Sequence, residues 1–211
     1  MNKILFIGNS HTYFNDMPRM VQELFLCAGE KAEIAMLTHG GMSLDWHFHQ
    51  EQTRFNILYG EYDSIVLQQV AHPFDGYQPL SDGVAAIRGL AEGLPARFVL
   101  YMTWAEKAHP ENQAEMSAAY RRVAAEQRTG LAPAGDVWQA FRRLHPEWEL
   151  YFQDGAHASA LGSFLAACCI FLQVYGGSTL PDPVRPAPGC ALLSALPEKA
   201  RADIWEAACW N

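Results

Sequence analysis

The feature of this sequence that most constrains its fold is a series of short, continuous apolar runs. They cover residues 4–7, 32–37, 64–70 and 98–102, and a weaker fifth run covers 130–134. Strands that are buried on both faces of a parallel sheet have unbroken apolar runs of this kind. The stretches between the runs are long enough for one helix each, as parallel connections require. The spacing therefore predicts five parallel strands.

Helical patterns fill the intervals between these runs. Apolar residues recur at three- and four-residue spacing, and a glycine or polar residue stands near each end. The predicted helices cover 17–28, 45–58, 84–92, 111–128, 133–144, 159–175 and about 197–210. This alternation predicts an α/β fold with a doubly wound five-stranded sheet and helices on both faces. In such a sheet, ligands bind at the carboxyl ends of the strands.

Length and composition indicate one globular domain over residues 1–211, in which 176–211 form an irregular segment rich in Gly and Pro followed by a helix. The formal charge of -8, from 23 acidic and 15 basic side chains, disfavours nucleic acid or an anionic membrane as a partner. The longest apolar stretch, 161–174, is too short to span a bilayer, and the first run resembles a strand more than a signal peptide. We expect a soluble, cytoplasmic protein.

Two polar motifs lie where such a sheet would build its site. Ser10 follows the first strand in the turn Gly8-Asn9-Ser10, where a nucleophile can be exposed, although turns favour these residue types for local reasons as well. Asp154 and His157 precede the last core helix. A carboxylate three residues before a histidine can orient the imidazole ring as in a Ser-His-Asp triad, or it can simply cap the helix.

Two further motifs follow the second and third strands. Gly40-Gly41 would let the backbone turn its N–H groups towards a substrate. Gln68-Gln69 places two amides at a strand end, where at least one should reach a partner or the cleft. All four motifs lie at a strand end or in an equivalent edge loop, and together they indicate a triad with an oxyanion hole.

These blocks, in this order, resemble those of SGNH (GDSL-type) hydrolases over residues of about 3–175. They resemble most a little-characterised bacterial branch, which has text like Val66-Leu67-Gln68-Gln69 in strand three and Tyr-X-X-Asp-Gly-X-His, here residues 151–157. The resemblance implies a flavodoxin-like three-layer α/β/α sandwich with a five-stranded parallel sheet.

The resemblance also implies roles for individual residues. Ser10 would be the nucleophile, His157 the general base and then acid, and Asp154 its orienting carboxylate. The backbone N–H groups of Ser10 and Gly41 would stabilise the oxyanion. The family's Gly-X-Asn-Asp block after strand three is missing, and we expect Gln69 to supply its amide, with Gln68 and His72 as alternatives.

The remaining predictions concern ligands. Trp104, directly after strand four, is the best candidate for substrate contact. His47 and His49 would point about 200° apart on a helix and could not easily share an ion. No other ligand set has metal spacing, and no phosphate-binding loop is present, so we expect neither metal nor cofactor.

The leading hypothesis is a serine esterase that removes small acyl groups, acetyl above all, from esters that include acylated sugars. The alternative is a catalytically impaired carbohydrate- or ligand-binding protein on the same fold, which the missing Asn block favours. The sequence does not fix the oligomeric state.

Overall fold

The computed structural model describes residues 2–178 and 180–210. Five strands form one sheet in which every neighbouring pair is parallel, in the order β2-β1-β3-β4-β5. The strands are β1 (Asn2–Gly8), β2 (Ala32–Thr38), β3 (Ser64–Leu67), β4 (Arg97–Tyr101) and β5 (Gly130–Ala132). The predicted α/β fold with a five-stranded parallel sheet is confirmed.

Helices connect the strands and cover both faces of the sheet. They are α1 (Ser10–Tyr13), α2 (Met17–Cys27), α3 (Leu44–Phe48), α4 (Glu51–Tyr59), α5 (Tyr77–Leu90), α6 (Gln113–Gln127), α7 (Ala134–Leu144), α8 (Ala160–Val174), α9 (Ala191–Ser194) and α10 (Glu198–Cys209). Two short 3-10 turns, Phe14–Asp16 and Pro110–Asn112, precede α2 and α6. Among the described helices, none is long and apolar enough to cross a bilayer.

Alternate residues of each strand enter opposite halves of the core, as strand geometry requires. Phe6 and Val66 pack with α2, α7, α8 and α10 on one face. Leu5 and Ile65 pack with α3, α4, α5 and α6 on the other. The sheet is thus covered on both sides, and only its ends are open to loops.

Two predicted helices differ from the structure. The helix predicted over 45–58 is split into α3 and α4 at Gln50, whose backbone is extended and whose side-chain amide donates to the carbonyl of Trp46. The helix predicted over 84–92 begins earlier, at Tyr77. Its early turns include Gly83, where an added Cβ would lie 2.8 Å from the Cβ of Leu44, so α3 and α5 pack closely.

Buried charges fix the described part of the tail after α8. The carboxylate of Glu23, only 2% exposed, accepts from the backbone N–H groups of Leu192 and Leu193. The guanidinium of Arg201 donates to the carbonyls of Pro183, Val184, Leu193 and Leu196. Ile204 of α10 is buried in the same core half as α8. Met1, Thr179 and Asn211 of the predicted domain lie outside the described residues.

Candidate active site

The turn after β1 holds Ser10 at the carboxyl edge of the sheet. Asn9 caps the short helix α1 by accepting from the N–H of His11, and its own N–H donates to the side-chain carbonyl of Gln68. A Cβ at Gly8 would stand 2.5 Å from that same carbonyl oxygen and 2.5 Å from Oγ1 of Thr12. Only glycine therefore allows the strand end, the glutamine and α1 to meet this closely.

The structure brings Ser10, His157 and Asp154 together although the chain separates the first two by 147 residues. The Ser10 hydroxyl donates to Nε2 of His157 at 2.8 Å, and Nδ1 of His157 donates to Oδ2 of Asp154 at 2.7 Å. The order is hydroxyl, imidazole, carboxylate. Such a chain of groups can move the hydroxyl proton to the imidazole while the carboxylate stabilises the resulting charge.

Asp154 also shapes the loop that carries it. Its Oδ1 accepts from the backbone N–H groups of Ala156 and His157, each at 2.9 Å. Desolvation acts to raise the pKa of Asp154, but these bonds and the His157 ring outweigh it and hold the pKa at about 2. The carboxylate is therefore ionised throughout the neutral range.

Trp104 supports the same loop from the core side. Its indole N–H donates to the carbonyl of Ala156 at 2.9 Å, and its ring stacks on Trp138 with centroids 3.8 Å apart. The side chain has no exposed surface. The predicted contact of Trp104 with substrate would therefore require this ring to become exposed; the sequence pattern showed its place after β4 but not its direction.

The two glutamines after β3 are buried, and their amides hold neighbouring loops together. Gln69 accepts from the N–H of Leu44 and donates to Oδ2 of Asp75. Gln68 accepts from Asn9 and Thr12 and donates to the carbonyl of Gln69. For Gln69, or the alternative Gln68, to act as the predicted oxyanion donor, one of these hydrogen bonds would have to break.

Gly41 and His72 lie on the loops after β2 and β3, both next to the segment that carries Ser10. Gly41 is exposed and has a left-handed φ of 73°, and the side-chain amide of Asn9 donates to the carbonyl of its neighbour Met42. Asn9 thus ties the Gly41 loop to the Ser10 loop. His72 is half-buried, and its Nε2 has no hydrogen-bond partner within residues 2–178 and 180–210.

An aromatic stack around His157 was missed by the sequence reasoning. Phe14 covers one face of the imidazole with centroids 4.2 Å apart, and His11 covers the other at 4.9 Å; both rings are within 16° of parallel. His72 meets His11 edge-on at 4.9 Å. The only signal in the sequence was the nearness of both rings to Ser10 along the chain, which does not give the direction of either side chain.

Histidines and carboxylates also lie close together outside this site. The buried His47 donates from Nε2 to the carbonyl of Gly8 at 2.8 Å. In the described chain, one group of three side chains has ligand atoms within 4.8 Å of one another: His145, Glu147 and Asp203. Lys199 lies 2.6 Å from Asp203 and 3.7 Å from Glu147, so an ammonium group already offsets the acidic charge there.

A cavity of about 180 Å³ lies between the loops after β3 and β4. His72, Phe74, Glu106 and Glu115 are among its lining residues. The edge contact between His72 and His11 places this cavity one ring away from the stack on His157. Four other cavities are larger. Those of about 340 and 640 Å³ lie at the amino ends of the strands, one of about 630 Å³ lies between α6 and α7, and one of about 200 Å³ lies beside β2 and α3.

No family model matches the chain, and no curated protein matches its sequence. Solved structures do match. A DUF4886 family protein from Bacteroides uniformis is 19% identical with a TM-score of 0.75 over 98% of this chain and 93% of its own. The acetyl xylan esterase AlAXEase is 16% identical with a TM-score of 0.65, covering 82% of this chain and all of its own.

A third match is a member of the lipolytic G-D-S-L family from Veillonella parvula. It is 14% identical with a TM-score of 0.59 over 83% of this chain and 98% of its own. At these identities the likeness shows the fold, which is that of the SGNH hydrolases.

Proposed function

We propose that this protein is a serine esterase that hydrolyses small acyl esters through an acyl-enzyme. One observation carries the proposal: the continuous chain of hydrogen bonds from Ser10 Oγ through the His157 ring to Asp154, at 2.8 and 2.7 Å. A turn serine or a capping aspartate has no need of the other two groups. The three together are the machinery that activates a weak hydroxyl nucleophile.

The reaction follows from this order of groups. His157 Nε2 takes the hydroxyl proton as Ser10 Oγ attacks the ester carbonyl, and the backbone N–H groups of Ser10 and Gly41 stabilise the oxyanion. The proton then passes from His157 to the departing alcohol, which leaves the acyl group on Ser10. Water, deprotonated by the same imidazole, attacks the acyl-enzyme and releases the acid.

The size of the neighbouring cavity supports a short acyl group. At about 180 Å³ it is smaller than the ~300 Å³ or more usual for drug-sized ligands. Its polar lining, with Glu106 and Glu115, offers little apolar surface for a long chain. An acetyl ester of a hydroxyl-rich alcohol such as a sugar suits this site better than a lipid, and a structural neighbour is an acetyl xylan esterase.

A second candidate is a carbohydrate- or ligand-binding protein that turns over poorly. The observation that favours it is the engagement of both Gln68 and Gln69 in structural hydrogen bonds, which leaves the oxyanion without a glutamine donor. Loss of one such donor costs about 100- to 1000-fold in turnover. This reading predicts binding of acylated sugars without hydrolysis.

The test is hydrolysis of p-nitrophenyl acetate and butyrate by wild type and Ser10→Ala, with fluorophosphonate labelling of both. We expect wild type to be labelled, to prefer acetate, and to lose at least about 1000-fold in turnover and all labelling in Ser10→Ala. Thermal unfolding should be nearly unchanged, because Ser10 is not buried in the core. A wild type that neither turns over nor labels would refute the esterase and favour the binding protein.

A further inference from the structure

We propose that His11 is a positioning residue that holds the imidazole plane of His157 and does so as an uncharged ring. The inference rests on the proposed function, since it assigns to a further side chain a role in the reaction of Ser10 and His157. His11 does not touch the reacting atoms. It acts through the ring on which it stacks.

The contacts of His157 explain why such a residue is needed. The bond from Nδ1 to Asp154 fixes one point of the ring but permits rotation about that bond, and the Asp154 side chain is itself 42% exposed. Flat rings on both faces remove this freedom. Phe14 lies 14° and His11 16° from the imidazole plane.

Both clamping rings come from the segment directly after Ser10, and hydrogen bonds fix that segment. The hydroxyl of Tyr101 donates to the carbonyl of His11 at 3.2 Å, and Ser163 Oγ donates to the carbonyl of Phe14. Asn15 adopts a left-handed backbone with φ 54° and donates to the carbonyl of Ala158, next to the base. The loop that presents the nucleophile therefore also aligns the base.

The surroundings of His11 keep its ring neutral. It is 7% exposed, and its Nδ1 has no hydrogen-bond partner in the described chain. Burial, together with His72 and His157, places the pKa of His11 well below its usual value, while Asp154 acts weakly in the opposite direction. Trp104 meets it edge-on. A neutral aromatic face tolerates an imidazolium at His157, whereas a second positive charge would oppose it.

Three substitutions test the stack. His11→Ala removes it, His11→Leu keeps apolar volume without a flat ring, and His11→Phe restores the ring without a titratable group. With p-nitrophenyl acetate we expect kcat to fall about 100-fold in the Ala variant, about 10-fold in the Leu variant and at most about 3-fold in the Phe variant, because a small misplacement of a catalytic group has effects of this size. KM should change less than about 2-fold in all three. Phe152→Ala is the matched control, since that exposed ring touches Phe14 and the residue bonds to His157 only through its backbone N–H, which the substitution keeps.

The pH profile supplies the second readout. We expect the acid limb of kcat/KM to have a slope of one in wild type and in His11→Phe, because burial lowers the pKa of His11 and favours its neutral ring. Circular dichroism shows whether each variant folds, and if His11→Ala does not, the comparison of Leu with Phe decides.

Equal rates for Leu and Phe would overturn the inference. So would a slope of two in wild type that becomes one in His11→Phe. A wild type that is not labelled at Ser10 rejects the proposed function itself, whereas labelling at the same rate in wild type and in all His11 variants rejects the positioning role alone.

Discussion

Two polar pairs lie at the carboxyl edge of this sheet, and they differ in where their atoms point. Asp154 and His157 stand on a partly exposed loop, and their hydrogen bonds leave Nε2 directed at the hydroxyl of Ser10. Gln68 and Gln69 are at most 1% exposed, and their amides bond the loops after β1, β2 and β3 to one another. Position at the edge is common to both pairs. Only the first has an atom available for chemistry.

Strand geometry explains the second pair. Successive side chains point to opposite faces of a sheet. Gln68 therefore turns towards Asn9 and Thr12, and Gln69 towards Leu44 and Asp75. Each side-chain amide thus forms hydrogen bonds between loops, and the two glutamines keep the loops of the site in place.

The largest effect that would sharpen this comparison is expected for Asp154→Asn. An asparagine can still accept from the N–H groups of Ala156 and His157, but its NH₂ group would face Nδ1 of His157. That favours the tautomer with a proton on Nε2, which cannot accept the Ser10 proton. We expect kcat to fall about 10³- to 10⁴-fold with little change in the melting temperature, measured by ester hydrolysis and calorimetry.

Asp182→Asn is the matched control for this substitution. Asp182 also accepts a backbone N–H two residues ahead, from Val184, but has no described contact with His157. The pH profile adds a check. Since the pKa of Asp154 is about 2, its carboxylate is ionised from pH 4 upwards, so activity lost on acidification above pH 4 comes from another group. Full activity in Asp154→Asn would contradict the assignment.

The second prediction concerns Gln69→Met, which keeps the volume and removes both hydrogen bonds. The N–H of Leu44 would be left buried without a partner, at a cost of about 1–3 kcal/mol in the free energy of unfolding. Because the hydrogen bonds of Gln69 join loops and do not reach Ser10 or His157, we expect kcat to fall less than about 10-fold. Chemical denaturation and ester hydrolysis measure the two effects.

Gln52→Met provides the comparison for Gln69→Met, since Gln52 is exposed on α4. It should change neither quantity. If Gln69→Met instead lost 100-fold or more in kcat while remaining as stable as wild type, Gln69 would be the oxyanion donor that the sequence indicated, and its bond to Asp75 would have to break when substrate binds.

The sequence predicted those parts of the fold that depend on the spacing of apolar residues and on the order of the segments along the chain. The observed bounds of β1, β2 and β4 lie within two residues of the predicted apolar runs, although β2, at the edge of the sheet, is only partly buried. The placement of Ser10 near His157 also followed, since both lie at loops on one edge. The strand-three run was predicted three residues too long, because Gln68 and Gln69 continue it without pairing as strand.

Side-chain direction could not be predicted in the same way. The stack of His11 and Phe14 on His157 depends on left-handed residues Asn15 and Asp16, which no periodicity announces. The tail depends on Glu23, whose partners lie about 170 residues away in the chain. Such contacts follow from the packing of distant segments.

The smallest expected effect separates support of the loop from contact with substrate at Trp104. Trp104→Phe keeps a ring to stack on Trp138 but loses the bond from the indole N–H to the carbonyl of Ala156. We expect about 1 kcal/mol lower stability and a kcat lower by about 2- to 5-fold, because the loop that carries His157 loosens. KM for acetylated sugars should not change. A KM that rises several-fold while stability stays the same would mean that Trp104 contacts the substrate. Trp104 would then belong with the groups that bind substrate and not with those that support the loops.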